Sequence, residues 1–219
     1  FTLQGGALKV MTRIFLTRHG ETEGICAGRM EARLDSPLTT LGIKQGQSLA
    51  LRLKEEELHS IYTSPSLRAA KTAEIIRGER EISLIKDEDL YEMDIGSWDG
   101  KTLDEIKRTD PIRFRTFREK PELYRREMEI GENFEDVQDR VSSFLTRIMN
   151  KHKNQTVLVV SHTAVLTLMM CQFKGKSIKH FWDPPMIQNA SLSLIHVHNN
   201  EVSIELDADI SHLQNIAII

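Results

Sequence analysis

Short apolar runs rich in β-branched residues recur at 14–17, 60–63, 82–85, 157–161, 192–197 and 202–206. Runs of this length bounded by turn residues read as strands. Between most of them the spacing of apolar positions changes to that of a helix, over 40–57, 66–78, 103–108, 133–152 and 164–173. The last of these, "AVLTLMMCQF", is nearly all apolar, as expected of a helix packed on a sheet with little solvent face. Strands alternating with helices predict an α/β fold. The final two strands meet across "HNNE", which predicts a hairpin turn.

The texture changes over 99–131. The stretch "KRTDPIRFRTFREKPELYRREMEIGE" is rich in Arg and Lys, carries aromatics and two prolines, and has little strand pattern. It reads as a helical lid insertion over one end of the sheet. No repeat, low-complexity tract or long linker divides the chain, so 11–219 is expected to be a single catalytic domain with its lid at about 99–131. Residues 1–10 precede Met11, which reads as a natural start, and are expected to be an appended remnant.

Composition narrows the partners. The chain has 219 residues, 40% of them hydrophobic, enough for a buried core. A formal net charge of −3 supplies no global field for nucleic acid or anionic lipid, so an anionic partner is expected to be small. Cys26 and Cys171 are too few for a disulfide framework or a cysteine-based zinc site. No apolar run approaches a membrane span of ~20 residues, and a cytoplasmic location is expected.

Three strand ends carry unusual residues. The run 14–17 leads into Arg18 and His19, 60–63 passes through Ser64-Pro65 into a helix with Arg68 in its first turn, and 157–161 leads into His162. In an open α/β sheet, ligands bind outside the carboxyl ends of the strands, so these groups would share one crevice if the strands are neighbours. The helices starting near Ser66 and Thr163 would add N–H groups and the positive ends of their dipoles. Arginine forks match tetrahedral oxygens. A phosphoryl group is the economical ligand. Taken singly, a histidine after a strand or an arginine on a helix is more often structural or solvated. Only the joint placement carries the functional reading.

At these residues the sequence resembles the histidine phosphatase superfamily, which includes phosphoglycerate mutases and many small-molecule phosphatases. The resemblance rests on six ordered blocks: "TRHGET" at 17–22, "LDSPLTTLGIKQG" at 34–46, "IYTSPSLRAAKTA" at 61–73, "LYEMDIGSWDGKT" at 90–102, "GENFEDVQDR" at 131–140 and "VLVVSHTAVL" at 157–166. It implies a three-layer α/β/α sandwich with a mostly parallel mixed sheet. It makes His19 the nucleophile that takes the phosphoryl group, Arg18, Arg68 and His162 the holders of its oxygens, and Glu92 the proton donor and acceptor. Thr163 and Arg29 fall at further substrate-binding positions. No metal and no cofactor are implied, because Arg and His supply the positive charge.

The chain also departs from the family pattern. Gly24-Ile25 stands where Trp-Asn is frequent, Arg29-Met30-Glu31-Ala32 replaces Arg-x-Gln-Gly, and Thr163 replaces a glycine. The blocks at 94–102 and 131–140 resemble the phosphatase branch, including α-ribazole phosphatases and broad-specificity phosphatases. The expected activity is therefore metal-independent hydrolysis of small phosphorylated metabolites, α-ribazole phosphate among them, through a phosphohistidine. Mutase-type phosphoryl transfer and a non-catalytic phospho-ligand module are the alternatives. The expected partner is a small phosphorylated metabolite, with neither nucleic acid nor membrane, and a homodimer is left open.

The lid arginines 113, 115, 118, 125 and 126 could read a second anion, but Asp110, Glu119 and Glu122 are interleaved with them and most are expected to be solvated. His196 and His198 share a strand face, where a structural role is expected over metal binding. Phe181 and Trp182 are expected in the core or on a wall.

Overall fold

The first strand, β1 (Thr12–Arg18), is buried on both faces: Ile14 and Leu16 point to one side and Phe15 to the other. Apolar residues on both faces suit the middle of a largely parallel sheet, covered on each side by helices. The computed structural model, which describes residues 11–214 except 129 and 200, together with residue 216, bears this out. Its six strands run β3 (Ser83–Lys86), β2 (Ser60–Thr63), β4 (Thr156–Ser161), β1, β5 (Leu192–His198) and β6 (Glu201–Asp209). The pairs β3/β2, β2/β4 and β4/β1 are parallel, whereas β5 is antiparallel to both β1 and β6. The fold is α/β with a mixed sheet.

One face of the sheet is covered by α6 (Phe134–Lys151) and α7 (Thr163–Phe173), where Val141, Phe144, Leu145 and Val165 meet Ile14, Leu16, Val157 and Val159. The other is covered by α2 (Thr40–Arg52) and α3 (Leu67–Arg77), where Leu49, Ala69, Ala73 and Ile76 meet Phe15, Ile61, Leu158 and Val160. Each fully buried Leu, Ile, Val or Phe side chain contributes roughly 1.5–3 kcal/mol relative to exposure, which fixes the register against single-residue slips.

Strand β4 lies between β1 and β2, and the carboxyl ends of the three are level: Arg18 pairs with Ser161, and Thr63 with Val160. The three strand ends singled out in the sequence are therefore neighbours.

Several boundaries differ from expectation. Helix α2 stops at Arg52, because the following "KEEE" run turns away and Glu56 pairs with Arg13 at 2.7 Å. A short helix, α1 (Glu23–Cys26), is capped by the Thr22 side chain and left no periodic signal. In the segment 99–131, α4 (Leu103–Thr109) opens with a capping box between Thr102 and Glu105, and α5 (Pro111–Glu119) starts on a proline. Proline suits a first helical turn but cannot continue α4, so one helical stretch becomes two. Rings of this segment, Trp98, Phe117 and Tyr124, pack edge-on or tilted against one another, and Phe117 meets Phe134 and Trp182. The β5/β6 hairpin forms as expected, although residue 200 of "HNNE" lies outside the described residues, as does the expected remnant at 1–10. Among the described residues no helix is long and apolar enough to cross a membrane.

Candidate active site

The end of β1 delivers His19, and its backbone is held by two other parts of the chain. Its N–H donates to Ser161 O on β4 at 3.1 Å, while its carbonyl accepts from Asn189 Nδ2 at 3.0 Å and Ala190 N at 3.3 Å. The next residue must be glycine for steric reasons: a Cβ on Gly20 would lie 2.4 Å from Gly42 O at the start of α2. The imidazole is buried, with Nδ1 2.7 Å from Gly20 O. A carbonyl can only accept, so Nδ1 carries the proton and Nε2 keeps its lone pair. Burial, reinforced by Arg18 and Arg68, holds this ring well below the usual histidine range and keeps it neutral at pH 7.

Arg68 approaches from α3, whose first turn is capped by the Ser66 side chain. Its Nε faces His19 Nε2 at 3.4 Å. The other two nitrogens turn to the 31–35 loop: Nη1 to Asp35 at 2.8 Å and Leu34 O at 3.0 Å, Nη2 to Ala32 O at 3.0 Å and Glu31 O at 3.3 Å. The sequence reading gave both ends of this fork to a ligand. In the structure the loop engages the outer nitrogens, and the arginine aims Nε at the imidazole.

His162 follows β4 at the N-cap position of α7; its ring centroid lies 5.1 Å from that of His19. Nε2 is 3.3 Å from Ser66 Oγ, and the buried Nδ1 has no partner among the described residues. Burial is the main reason its pKa falls well below the ordinary value, followed by His19 and Arg68. Arg18 donates from Nη1 to Ile187 O at 3.2 Å, and its buried Nε also has no partner among the described residues. Desolvation lowers the Arg18 pKa to about 10, which leaves it charged at pH 7. Two buried polar atoms beside the His19 imidazole, without partners among the described residues, are costly unless an anion completes them.

Glu92 reaches the same place from the segment after β3. Its Oε1 accepts from Met93 N at 2.8 Å and from Ala164 N, in the first turn of α7, at 3.1 Å. These amides and the two arginines favour the carboxylate, but burial outweighs them and raises its pKa. Burial thus favours the protonated form more than solvent would, while the amides and arginines keep the carboxylate form accessible.

Arg18, His19, Glu92 and Thr163 line one cleft of about 190 Å³, and Arg29 stands at its wall with Nη1 on Gly100 O at 2.8 Å. Arg68 and His162 lie behind that surface, fully buried. The remaining walls are mainly apolar, with Met30, Ile95, Leu103, Phe114, Phe117 and Trp182 among them. At the departures from the family pattern, a Cβ on Gly24 would lie 2.1 Å from Glu31 Oε1. The Glu31 carboxylate fills that space and accepts from Thr22 Oγ1 and Ser36 Oγ, while Ile25 lines the cleft.

The pattern of the Histidine phosphatase superfamily (branch 1) matches residues 14–209. The chain belongs to that superfamily. Phosphoserine phosphatase 1 of Hydrogenobacter thermophilus is 37% identical over 187 residues, 85% of this chain and 87% of the relative. Metal-independent phosphoserine phosphatase of Arabidopsis thaliana is 31% identical over 214 residues, 95% of this chain and 86% of the relative. Among solved structures, Bacillus stearothermophilus YhfR superposes with a TM-score of 0.89 at 42% identity, covering 93% of this chain and all of the other. The alpha-ribazole phosphatase of Shigella flexneri gives 0.81 at 25%, covering 90% of this chain and 96% of the other. The chain is thus a phosphatase of the histidine phosphatase superfamily.

Within this histidine phosphatase, sequence reasoning missed three supports of the site. Asp35 and Glu31 sat inside or beside quoted blocks but carried no mark of their role toward Arg68 and Gly24. Asn189, 170 residues from His19, left no signal at all. In the segment 99–131, Arg125 pairs with Glu135 at an exposed position, as expected, and Arg126 pairs with Asp136, whereas Arg113 departs from the solvated expectation: it is largely buried over Trp98 and pairs with Asp110 and Glu127. His196 has an acidic neighbour that the sequence did not reveal, Glu205 at 2.6 Å across the β5/β6 pair.

Proposed function

We propose that this phosphatase hydrolyses small phosphate monoesters through a phosphoryl group carried on His19, with no metal in the reaction. The observation that carries the reading is the tautomer of His19: Nδ1–H is committed to Gly20 O, which leaves Nε2 as a neutral nucleophile. In the first step Nε2 bonds to phosphorus as the ester P–O bond breaks, and Glu92, its pKa raised by burial, gives its proton to the departing alkoxide. Arg18 and Nδ1 of His162, which has no partner among the described residues, are offered to the equatorial oxygens, and Arg68 Nε, which faces His19 Nε2 at 3.4 Å, turns from that lone pair to a phosphoryl oxygen as Nε2 bonds to phosphorus. In the second step the Glu92 carboxylate takes a proton from water, the resulting hydroxide attacks phosphorus, and the P–N bond breaks to release inorganic phosphate and neutral His19. Thr163 and Arg29 line the path of the substrate.

The apolar walls support a leaving group with an apolar face. Two substrates named for relatives differ in this respect: α-ribazole phosphate presents an aromatic base, and phosphoserine an ammonium with a carboxylate. The carboxylates on the walls are Glu92, held by amides, and Glu31, held by hydroxyls, so both are already engaged and an ammonium finds no free acid there. A cytoplasmic location, expected from the sequence, accords with a metabolite substrate.

Brief exposure to phenyl phosphate labelled in its phosphoryl group, followed by an alkaline quench, should leave acid-labile, base-stable label on His19. His19→Ala should show neither label nor turnover. An active preparation that never labels His19 refutes the mechanism. Transfer of the label to a second hydroxyl instead of water would favour mutase-type transfer.

A further inference from the structure

The far wall of the cleft carries a cation that the chemistry at His19 does not use. Arg118 lies in the last turn of α5 and lines the cleft, its guanidinium carbon 4.0 Å from the centroid of the Trp182 ring. The ring is itself fixed: Trp182 Nε1 donates to Phe117 O at 2.7 Å, and the indole packs edge-on against Phe117 at 5.4 Å and Phe181 at 4.6 Å. Arg113, Arg125 and Arg126 are paired with acids, whereas Arg118 has no carboxylate or hydrogen-bond acceptor among the described residues. Arg29, the other cation on these outer walls, spends Nη1 on Gly100 O.

An indole face receives the charge of a guanidinium but accepts little from its N–H groups. Stacking therefore holds Arg118 in place and keeps its fork for a planar acceptor. The neighbouring walls are Leu103, Phe114, Phe117 and Phe181, a setting that screens a charge pair less than open water does. A substrate phosphate bound at His19 would place its leaving group among these residues.

We propose that Arg118, stacked on Trp182, is a specificity-determining residue that pairs with a carboxylate on the leaving group. The preferred substrates are then phosphate monoesters whose alcohol has an apolar or aromatic body ending in a carboxylate. A carboxylate is chosen over other anions because its two coplanar oxygens match the guanidinium fork. The inference rests on the phosphatase reading and narrows its substrate class. The competing possibility is a solvated helix arginine whose stem only covers the indole; its removal would then affect all esters alike.

The test compares kcat/KM for phenyl phosphate with that for 3-carboxyphenyl and 4-carboxyphenyl phosphate, in the wild type, Arg118→Met and Arg118→Lys. Methionine keeps an apolar cover on Trp182 and removes the fork. Arg118→Met should lower kcat/KM for the better carboxylated ester about tenfold more than for phenyl phosphate, the scale of a charge-assisted hydrogen bond. Arg118→Lys should recover part of that difference. The double ratio cancels leaving-group acidity and any general damage to the fold. Equal losses on all three esters would overturn the assignment, as would a wild-type preference that Arg118→Met leaves intact. Failure of the wild type to hydrolyse phenyl phosphate would instead overturn the phosphatase reading beneath it.

Discussion

Replacing His162 with glutamine should change how stability depends on pH as well as its size. In the folded protein this ring is buried at the end of β4 and kept neutral well below the ordinary histidine range, from which the unfolded chain titrates at about 6.5. A depressed folded pKa means that the unfolded chain binds the extra proton, so stability present above pH 6.5 is lost as pH falls below it. While the folded ring stays neutral, it accounts for a loss of about 1 kcal/mol between pH 6.5 and 5.5 and about 1.3 kcal/mol over the next unit. His162→Gln lacks this proton uptake. It should be less stable at pH 7.5, having lost a packed ring and its contact with Ser66 Oγ at 3.3 Å, and the gap to wild type should narrow by those amounts on acidification. His19 is also depressed and Glu92 is raised, which gives it the opposite slope. Both remain in the variant, so the difference curve isolates His162 apart from its coupling to His19. Urea unfolding at pH 7.5, 6.5, 5.5 and 4.5 and constant ionic strength measures it. Parallel stability curves for the two proteins would refute the claim that His162 is held neutral.

Two further changes probe the catalytic and structural readings. Glu92→Gln should lower kcat by ~10²–10⁴ for alkyl phosphates but far less for nitrophenyl phosphate, whose leaving group needs no proton; an equal loss across a leaving-group series would show that Glu92 does not supply the proton. Gly24→Ala places a Cβ 2.1 Å from Glu31 Oε1 and should cost about 1–3 kcal/mol in chemical unfolding, with much of the loss removed in a Glu31→Ala background. Strict additivity of the two substitutions would refute the direct steric coupling.

What the sequence revealed follows from how far apart the interacting residues lie. Arg18, His19 and His162 were legible because each ends or directly follows a strand whose burial pattern is local, and level ends on adjacent strands then make them neighbours. Glu92 was not legible from pattern alone, since Asp87, Glu88, Asp89 and Asp94 surround it; only the family resemblance selected it. The structure separates these acids physically. Asp87 and Asp89 reach out to Arg147 at 2.7 Å each, and Asp94 lies near Arg33 at 3.9 Å. Glu92 turns inward to amides at the start of α7. The separate bounds of α5, inside a segment expected to be helical, escaped notice because a proline opens it directly after α4. Asp35 and Asn189 escaped for a different reason: they act on Arg68 and His19 across 33 and 170 residues, through loops with no period to read. These distant contacts also decide the chemistry. An arginine whose Nη atoms are engaged by a loop and an imidazole whose tautomer is set by a carbonyl behave differently from the same residues in solvent. The local pattern thus reveals which atoms meet, while loop closure sets the direction in which Arg68 donates and the nitrogen on which His19 carries its proton.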